Sequence, residues 1–318
     1  MSVCQVLAWV DDARPYEDAI ERRGIAARVQ LHALPRAQQP EPGLLDGAEV
    51  LLAWDAPAGL LDRMPSLRWL QAQTVAAESW LARPDVRDDI VLTVARGVHR
   101  VQMPETILGA LFWITKPFRH AMADQVHARW TRRMGEPLAG KTLCIVGLGT
   151  IGSELARKAQ ALELRVIGVS RRAVAVSHVD TVYTTAEAEQ AFAQADFVVL
   201  LIPQTPENEN FMNATRLAAM KPDAWLLNFA RGAVVDDNAL IAVLNAKAIG
   251  GAILDVFREE PLPEHHALWR TPGVLVLPHV GGLHPRRDEL VAELFAANLE
   301  RWLDREPLQG TVDRDRGY

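Results

Sequence analysis

Cysteine is nearly absent from this chain, with Cys4 and Cys144 the two among 318 residues, each inside an apolar run that reads as a buried strand. Thiols so far apart build no disulfide scaffold, and a reducing cytoplasm is the expected compartment. Long apolar runs are missing too. The longest, Ile107 to Thr115, is about half of the ~20 residues needed to cross a bilayer, so no membrane span or membrane partner is expected. The opening MSVCQVLAWVDD has no basic region ahead of its short apolar stretch, which argues against a secretory leader. Positive charge is in deficit, 34 Lys and Arg against 40 Asp and Glu, and the formal charge of −6 disfavours nucleic acid as the main partner. A local basic pocket remains compatible with that balance. The nine histidines are scattered, and His265-His266 reads as the start of a solvated helical turn, so no metal site is expected. What is present is ordinary: 49% hydrophobic and 23% charged residues, in a length that suggests two domains.

The first hundred residues alternate short β-type runs with turns or helical patterns. Candidate strands are Gln5 to Val10, Ala27 to His32, Glu49 to Trp54, Arg68 to Gln73 and Ile90 to Ala95, which suggests a small parallel sheet covered on both faces. One long helix is expected from about Pro104 to His120, with Ile107, Leu108, Leu111, Phe112 and Ile114 on a broad apolar face. A second series follows, with strands at Thr142 to Val146, Arg165 to Ser170, Phe197 to Ile202, Ala224 to Phe229, Gly251 to Asp255 and Val274 to Leu277. Six strands with crossover helices match a doubly wound nucleotide-binding sheet. A last amphipathic helix, Asp288 to Leu303, is too little for a domain and is expected to pack on the first sheet.

Gly147-Leu148-Gly149-Thr150-Ile151-Gly152 lies between a strand and a helix and is a complete G-x-G-x-x-G. The first glycine permits a tight turn, the second lets backbone approach a pyrophosphate, and the third lets helix and strand pack closely. The N–H groups opening the helix then face the phosphates. About 20 residues on, where an acid would hold the ribose 2′-OH of NAD, the chain reads Ser170-Arg171-Arg172. A hydroxyl and two guanidiniums match the 2′-phosphate of NADP, so NADPH is the expected cofactor, with NADH as the alternative.

Three polar residues lie at or beyond the ends of late strands, the edge where open α/β sheets bind ligands: Arg231 after Asn228-Phe229-Ala230, Glu260 before Pro261, and His279 after Pro278. Singly, each reads as well as a surface arginine, a solvated turn or a structural histidine. Together they make chemical sense. Reduction of a 2-oxo acid needs a cation for the carboxylate and ketone oxygen, which suits Arg231, and a proton donor, which suits His279. A carboxylate at Glu260 would orient the imidazole and favour its charged form. Asp255 is placed to contact the nicotinamide end or to support the site.

These motifs resemble the D-isomer-specific 2-hydroxyacid dehydrogenases: the Gly147 fingerprint, Asn228-Phe229-Ala230-Arg231-Gly232, Leu254-Asp255-Val256-Phe257 through Glu260-Pro261-Leu262-Pro263, and Pro278-His279, with spacings of 29 and 19 residues between Arg231, Glu260 and His279. The resemblance covers nearly the whole chain. Within the family it is nearest the glyoxylate/hydroxypyruvate reductase A group, through Trp54, the Ser170-Arg171-Arg172 loop, Leu268-Trp269-Arg270 and the tail Val312 to Tyr318. It implies an α/β fold of two Rossmann-like or flavodoxin-like parallel-sheet domains with an interdomain cleft. It further implies NADPH-dependent reduction of glyoxylate and hydroxypyruvate, a cytoplasmic location, and a homodimer formed through the Pro104 to His120 region. Pro203, Phe229 and Ala230 join the cofactor contacts on this resemblance, and Trp54, Val75, Ala76 and Ala77 join Arg231 and His279 around the substrate.

On this reading the substrate domain comprises residues 1–98 plus 285–318, and the dinucleotide domain residues 99–284. Two departures stand out. Ala76, in Gln73-Thr74-Val75-Ala76-Ala77-Glu78, replaces a glycine in the turn whose amides hold the substrate carboxylate in the family, and Gly281-Gly282-Leu283-His284 suits the wider family better than the subgroup. A formate-type dehydrogenase lacks the glutamate partner of its histidine, so Glu260 counts against it. A short phosphoglycerate dehydrogenase and a non-enzymatic NAD(P)-sensing protein are the alternatives.

Overall fold

Apolar residues at consecutive positions, as in Val6-Leu7-Ala8, satisfy a strand only if both of its faces are covered. That is the arrangement of β1 (Cys4–Trp9), β2 (Val29–Leu34), β3 (Val50–Ala53), β4 (Trp69–Ala72) and β5 (Val91–Thr93), an all-parallel sheet in the order β2-β1-β3-β4-β5. Leu7, Leu51 and Leu70 face a core with Leu45 and Trp80, whereas Val6, Val50 and Trp69 face a second core with Tyr16 and Ile20. The helix Arg287–Leu303 closes that second face with Val291, Phe295 and Leu299, repeating every four residues, and Phe295 stacks on Trp69 at 5.5 Å. Burial of an aromatic side chain of this kind contributes roughly 1.5–3 kcal/mol. The five expected strands are present with shorter or shifted ends. The second begins at Val29 because Ala26–Arg28 winds into a 3-10 turn.

A buried polar network fastens the end of the chain to this sheet. Trp69 Nε1 donates to Thr93 Oγ1 at 2.8 Å, Thr93 Oγ1 donates to Gln71 Oε1 at 2.9 Å, and Asn298 Nδ2 donates to the same Gln71 oxygen at 3.1 Å. Asn298 also exchanges hydrogen bonds with the backbone of Gln309 at 2.8 and 2.9 Å.

The computed structural model describes residues 3–317 and divides into two compact units, one comprising the chain up to Val98 and from His284 on, the other His99–Leu283. Tyr318, quoted above in the tail motif, lies outside the described residues. The second unit holds β6 (Thr142–Val146), β7 (Arg165–Ser170), β8 (Thr181–Thr184), β9 (Phe197–Leu200), β10 (Trp225–Asn228), β11 (Gly251–Leu254) and β12 (Val274–Val276), all parallel, in the order β12-β11-β10-β9-β6-β7-β8. Counted from β6, this is the 3-2-1-4-5-6 order of dinucleotide-binding sheets with one further strand. Strand order reverses between β6 and β9, where such sheets bind ligands.

Two expectations are corrected here. β8 was not foreseen: Thr181-Val182-Tyr183-Thr184 is a short edge strand with no buried residue, so it shows no apolar run. The helix expected over Pro104 to His120 is two helices, Gln102–Thr115 and Phe118–Gln125. Pro117 has no N–H to give and holds Lys116 extended at φ −100° and ψ 153°, which stops the first helix. Beyond the break, Phe118, Met122, Val126, Trp130 and Met134 are exposed. Among the described residues no helix is long and apolar enough to cross a membrane. Cys4 and Cys144 are buried free thiols, and burial pushes the Cys4 thiol up to about 11.

Candidate active site

Strand register brings the late motifs together. Asn228 pairs with Leu254, and Leu254 with Val276, so the ends of β10, β11 and β12 lie in one row. Arg231, Asp255 to Glu260 and His279 all follow from that row at the sheet's C-terminal edge. Glu260 Oε2 is 2.6 Å from His279 Nδ1, and its Oε1 accepts the Phe257 N–H at 2.8 Å. Both carboxylate oxygens therefore have a partner, which orients the carboxylate toward the imidazole. The Glu260-Pro261 peptide is cis.

His279 has a backbone φ of 53°, a left-handed conformation that costs a non-glycine residue of order 1 kcal/mol and clusters at functional sites. Asp255 holds it there. Its carboxylate, 1% exposed, accepts the N–H groups of Val280 at 2.8 Å and Gly281 at 2.9 Å, the two that follow His279. Burial pushes the Asp255 carboxyl above the usual carboxylate range, and those two hydrogen bonds oppose the shift. A Cβ at Gly281 would come within 2.6 Å of Asp255 Oδ2 and 2.7 Å of the Phe229 ring, so the turn requires glycine there.

Arg231 is half-buried, with Nη1 donating to the Ala230 carbonyl at 2.7 Å. Its backbone is set by Asn228, whose side chain donates to the Arg231 carbonyl at 3.0 Å and accepts the Ala230 N–H at 3.1 Å. Arg258 donates to the carbonyls of Ala233 at 3.1 Å and Val235 at 2.8 Å, clamping the turn after Arg231. Neither Asn228 nor Arg258 was assigned a part from sequence. Asn228 lay within a recognised motif, but its two side-chain bonds depend on a turn that composition does not reveal.

The cofactor motif forms a cradle. Gly147 has φ +103°, and a Cβ there would meet the Leu201 carbonyl oxygen at 2.7 Å, so the loops after β6 and β9 touch at the point where strand order reverses. Pro203 is in the second of these loops. A Cβ at Gly152 would sit 2.1 Å from the Gly147 carbonyl oxygen, whereas Gly149, at the N-cap of the helix Thr150–Gln160, has nothing within 4 Å of its Cβ direction. Open space ahead of a helix N-terminus whose cap offers no side chain suits a pyrophosphate. Ser170 ends β7 and donates from Oγ to the Arg172 carbonyl at 2.5 Å, while the Arg171 and Arg172 side chains are exposed, with Arg171 helping to hold Glu207 below the usual carboxylate range behind Glu207's own hydrogen bonds.

Trp54, Val75, Ala76 and Ala77 lie in the first unit. Trp54 follows β3, beside the reversal of strand order between β1 and β3, and is 40% exposed. Ala76 has no positive φ, so its methyl group is accommodated without strain, while Ala77 packs in the core with Trp80 and Val75 packs against the opposite core. Thr74, Val75 and Ala76 of this turn are half-buried, and Ala77 is buried. The Trp54 ring lies 4.6 Å from the Arg287 guanidinium and 5.9 Å from that of Arg36, two residues that sequence reasoning passed over.

Residues 108–281 match the model of the D-isomer specific 2-hydroxyacid dehydrogenase NAD-binding domain. The (S)-sulfolactate dehydrogenase of Chromohalobacter salexigens is 32% identical over 250 residues, 77% of this chain and 80% of that one. The glyoxylate reductase of Thermococcus litoralis is 31% identical over 80% of each chain. Among solved structures, the NADPH-dependent glyoxylate/hydroxypyruvate reductase of Sinorhizobium meliloti, in complex with NADP and sulfate, superimposes with a TM-score of 0.86 at 25% identity, covering 99% of this chain and 100% of that one.

Proposed function

Because the chain belongs to the D-isomer specific 2-hydroxyacid dehydrogenase family, we propose that it reduces small 2-oxo acids, glyoxylate and hydroxypyruvate foremost, to 2-hydroxy acids with NADPH. The observation that carries the reading is the 2.6 Å contact of Glu260 with His279 Nδ1. As a carboxylate Glu260 only accepts, so Nδ1 donates to it and Nε2 is the nitrogen that exchanges a proton with a substrate.

Gly147, Gly149, Thr150, Ile151 and Gly152 would hold the pyrophosphate, Arg171 and Arg172 the 2′-phosphate, and Pro203, Phe229, Ala230 and Asp255 the remaining length of the dinucleotide. When bound, the nicotinamide supplies a hydride to the carbonyl carbon. Arg231 holds the substrate carboxylate and draws electron density toward the ketone oxygen. His279 Nε2 protonates that oxygen, and Glu260 balances the charge of the imidazolium before the proton is given up. The backbone of Val75 to Ala77 and the Trp54 ring bound the small substrate. The reading puts the enzyme in the cytoplasm as a homodimer, supported by buried free thiols and by the exposed apolar side chains from Phe118 to Met134.

The test is a rate panel. Purified protein should oxidise NADPH with glyoxylate or hydroxypyruvate faster than with 2-oxo acids bearing a phosphate or sulfonate. Cofactor binding without turnover on any 2-oxo acid would support the NAD(P)-sensing alternative instead. Sedimentation velocity should give a dimer that Trp130→Glu weakens.

A further inference from the structure

Arg287 is in an unfavourable place for a cation that serves only stability. It opens the helix Arg287–Leu303, where the helix dipole presents positive charge, and its side chain is only 11% exposed. Asp288 offsets the charge at 2.5 Å from Nη1. The other terminal nitrogen, Nη2, donates to the backbone carbonyl of Gln73, and the guanidinium lies 4.6 Å from the centre of the Trp54 ring.

These contacts close a circuit. The Gln73 N–H donates to the Ala53 carbonyl at 2.9 Å, Ala53 precedes Trp54, and Arg287 joins the Gln73 carbonyl to the Trp54 ring. Gln73 is anchored from behind by its side chain, which donates to the buried Tyr16 hydroxyl at 2.7 Å. Arg36, held to Asp11 through its backbone N–H at 3.0 Å and Nε at 3.1 Å, flanks the same ring at 5.9 Å. Beyond the ends of β3 and β4, the exposed Trp54 ring and the start of the 73–77 turn are thus joined by one guanidinium.

We propose that Arg287 is a positioning residue that sets substrate size selectivity by fixing Trp54 against the 73–77 turn. This rests on the reading of Trp54 and that turn as substrate contacts. A ring held in one place leaves room for the hydrogen or hydroxymethyl group of a two- or three-carbon 2-oxo acid. A released ring admits a branched one.

The experiment compares Arg287→Met, which keeps length and loses charge, with Arg287→Lys, which keeps charge and loses the planar fork. In Arg287→Met the KM for glyoxylate should rise about 10-fold with kcat within about 2-fold, the split expected when binding rather than chemistry is disturbed. Its preference for 2-oxoisovalerate over glyoxylate should increase, and Arg287→Lys should recover part of the loss. Trp54→Leu should shift selectivity in the native background and add little in Arg287→Met. A second readout needs no turnover: in protein labelled with 5-fluorotryptophan, the Trp54 fluorine resonance should broaden or move in Arg287→Met, and amides 74–77 should exchange faster. An unchanged resonance with unchanged exchange overturns the inference, as does a fall in melting temperature with KM and selectivity intact. If the native protein reduces no 2-oxo acid, the proposed function fails, and the fluorine and exchange measurements still decide whether Arg287 positions Trp54.

Discussion

Glu260 reaches His279 Nδ1 with one carboxylate oxygen and the Phe257 N–H with the other, so the residue that orients the imidazole is itself oriented by the backbone three residues before it. A pair built in this way should act as one unit. His279→Ala is expected to lower kcat by about 10²–10⁴-fold, the usual range for a general acid, with the NADPH Kd little changed. Glu260→Gln should cost about 10-fold or more alone and nearly nothing on top of His279→Ala. Additive losses in steady-state kinetics would show that the two side chains work separately.

Asp255 gives a pH signature in stability. Its carboxyl is raised by burial, so the folded protein binds that proton more readily than the unfolded chain. Stability from this group is therefore largest at low pH and declines as the pH climbs from the usual carboxylate range, about 4, through the raised value. Asn at this position does not titrate. The melting-temperature difference between native protein and Asp255→Asn should shrink from pH 4 to pH 7, and a constant difference would mean that burial does not penalise the charge.

On the proposed reading, cofactor choice rests with the exposed side chains of Arg171 and Arg172 at the end of β7. Replacing Arg171 and Arg172 together by Ala should raise the NADPH KM by about 10-fold or more and leave the NADH KM within about 2-fold, since only the 2′-phosphate is lost to them. Parallel titration of both cofactors checks this. Equal effects on the two would assign the arginines elsewhere.

Two glycines of one motif should fail differently. Gly152→Ala drives a methyl group to 2.1 Å from the Gly147 carbonyl oxygen, and a clash with backbone of this kind should cost about 1–3 kcal/mol or more in denaturant melts. Gly149→Ala meets nothing within 4 Å and should melt like the native protein. Its methyl group instead occupies the approach to the helix N-terminus, so the NADPH Kd measured by fluorescence titration should rise about 10-fold. A Gly149→Ala protein with native affinity would remove the pyrophosphate from that position.

Much of this was legible where burial leaves a residue little choice. β6 and β7 have the bounds expected from sequence, because the buried runs Leu143 to Val146 and Val166 to Val169 at their centres fit only strands covered on both faces. β8 was not legible, since an edge strand with half-exposed Val182 and Tyr183 has no buried face to write into the sequence. The stop at Lys116 is written in Pro117, and the apolar face from Ile107 to Ile114 ends before it, although the expected helix continued to His120. Asn228, Arg258 and Arg287 are of a third kind. Their partners are backbone carbonyls of turns, so which carbonyls they meet depends on turn geometry, and Pro285-Arg286-Arg287-Asp288 reads in isolation as the wet start of a helix.

The hydrogen bonds among Trp69, Thr93, Gln71 and Asn298 have a consequence for biosynthesis. A chain emerging from the ribosome presents Gln71 and Thr93 long before Asn298 and Gln309 exist. Until the last helix arrives, the Gln71 amide oxygen lacks one of its donors and Trp69 lacks the stacked ring of Phe295. The sheet translated first is therefore completed last, and the nascent N-terminal segment must wait, with its apolar face open, for some two hundred residues to be made. A ribosome-bound chain stopped before Asn298 should be a preferred client of chaperones that bind exposed apolar surface, and release of the full chain should end that dependence.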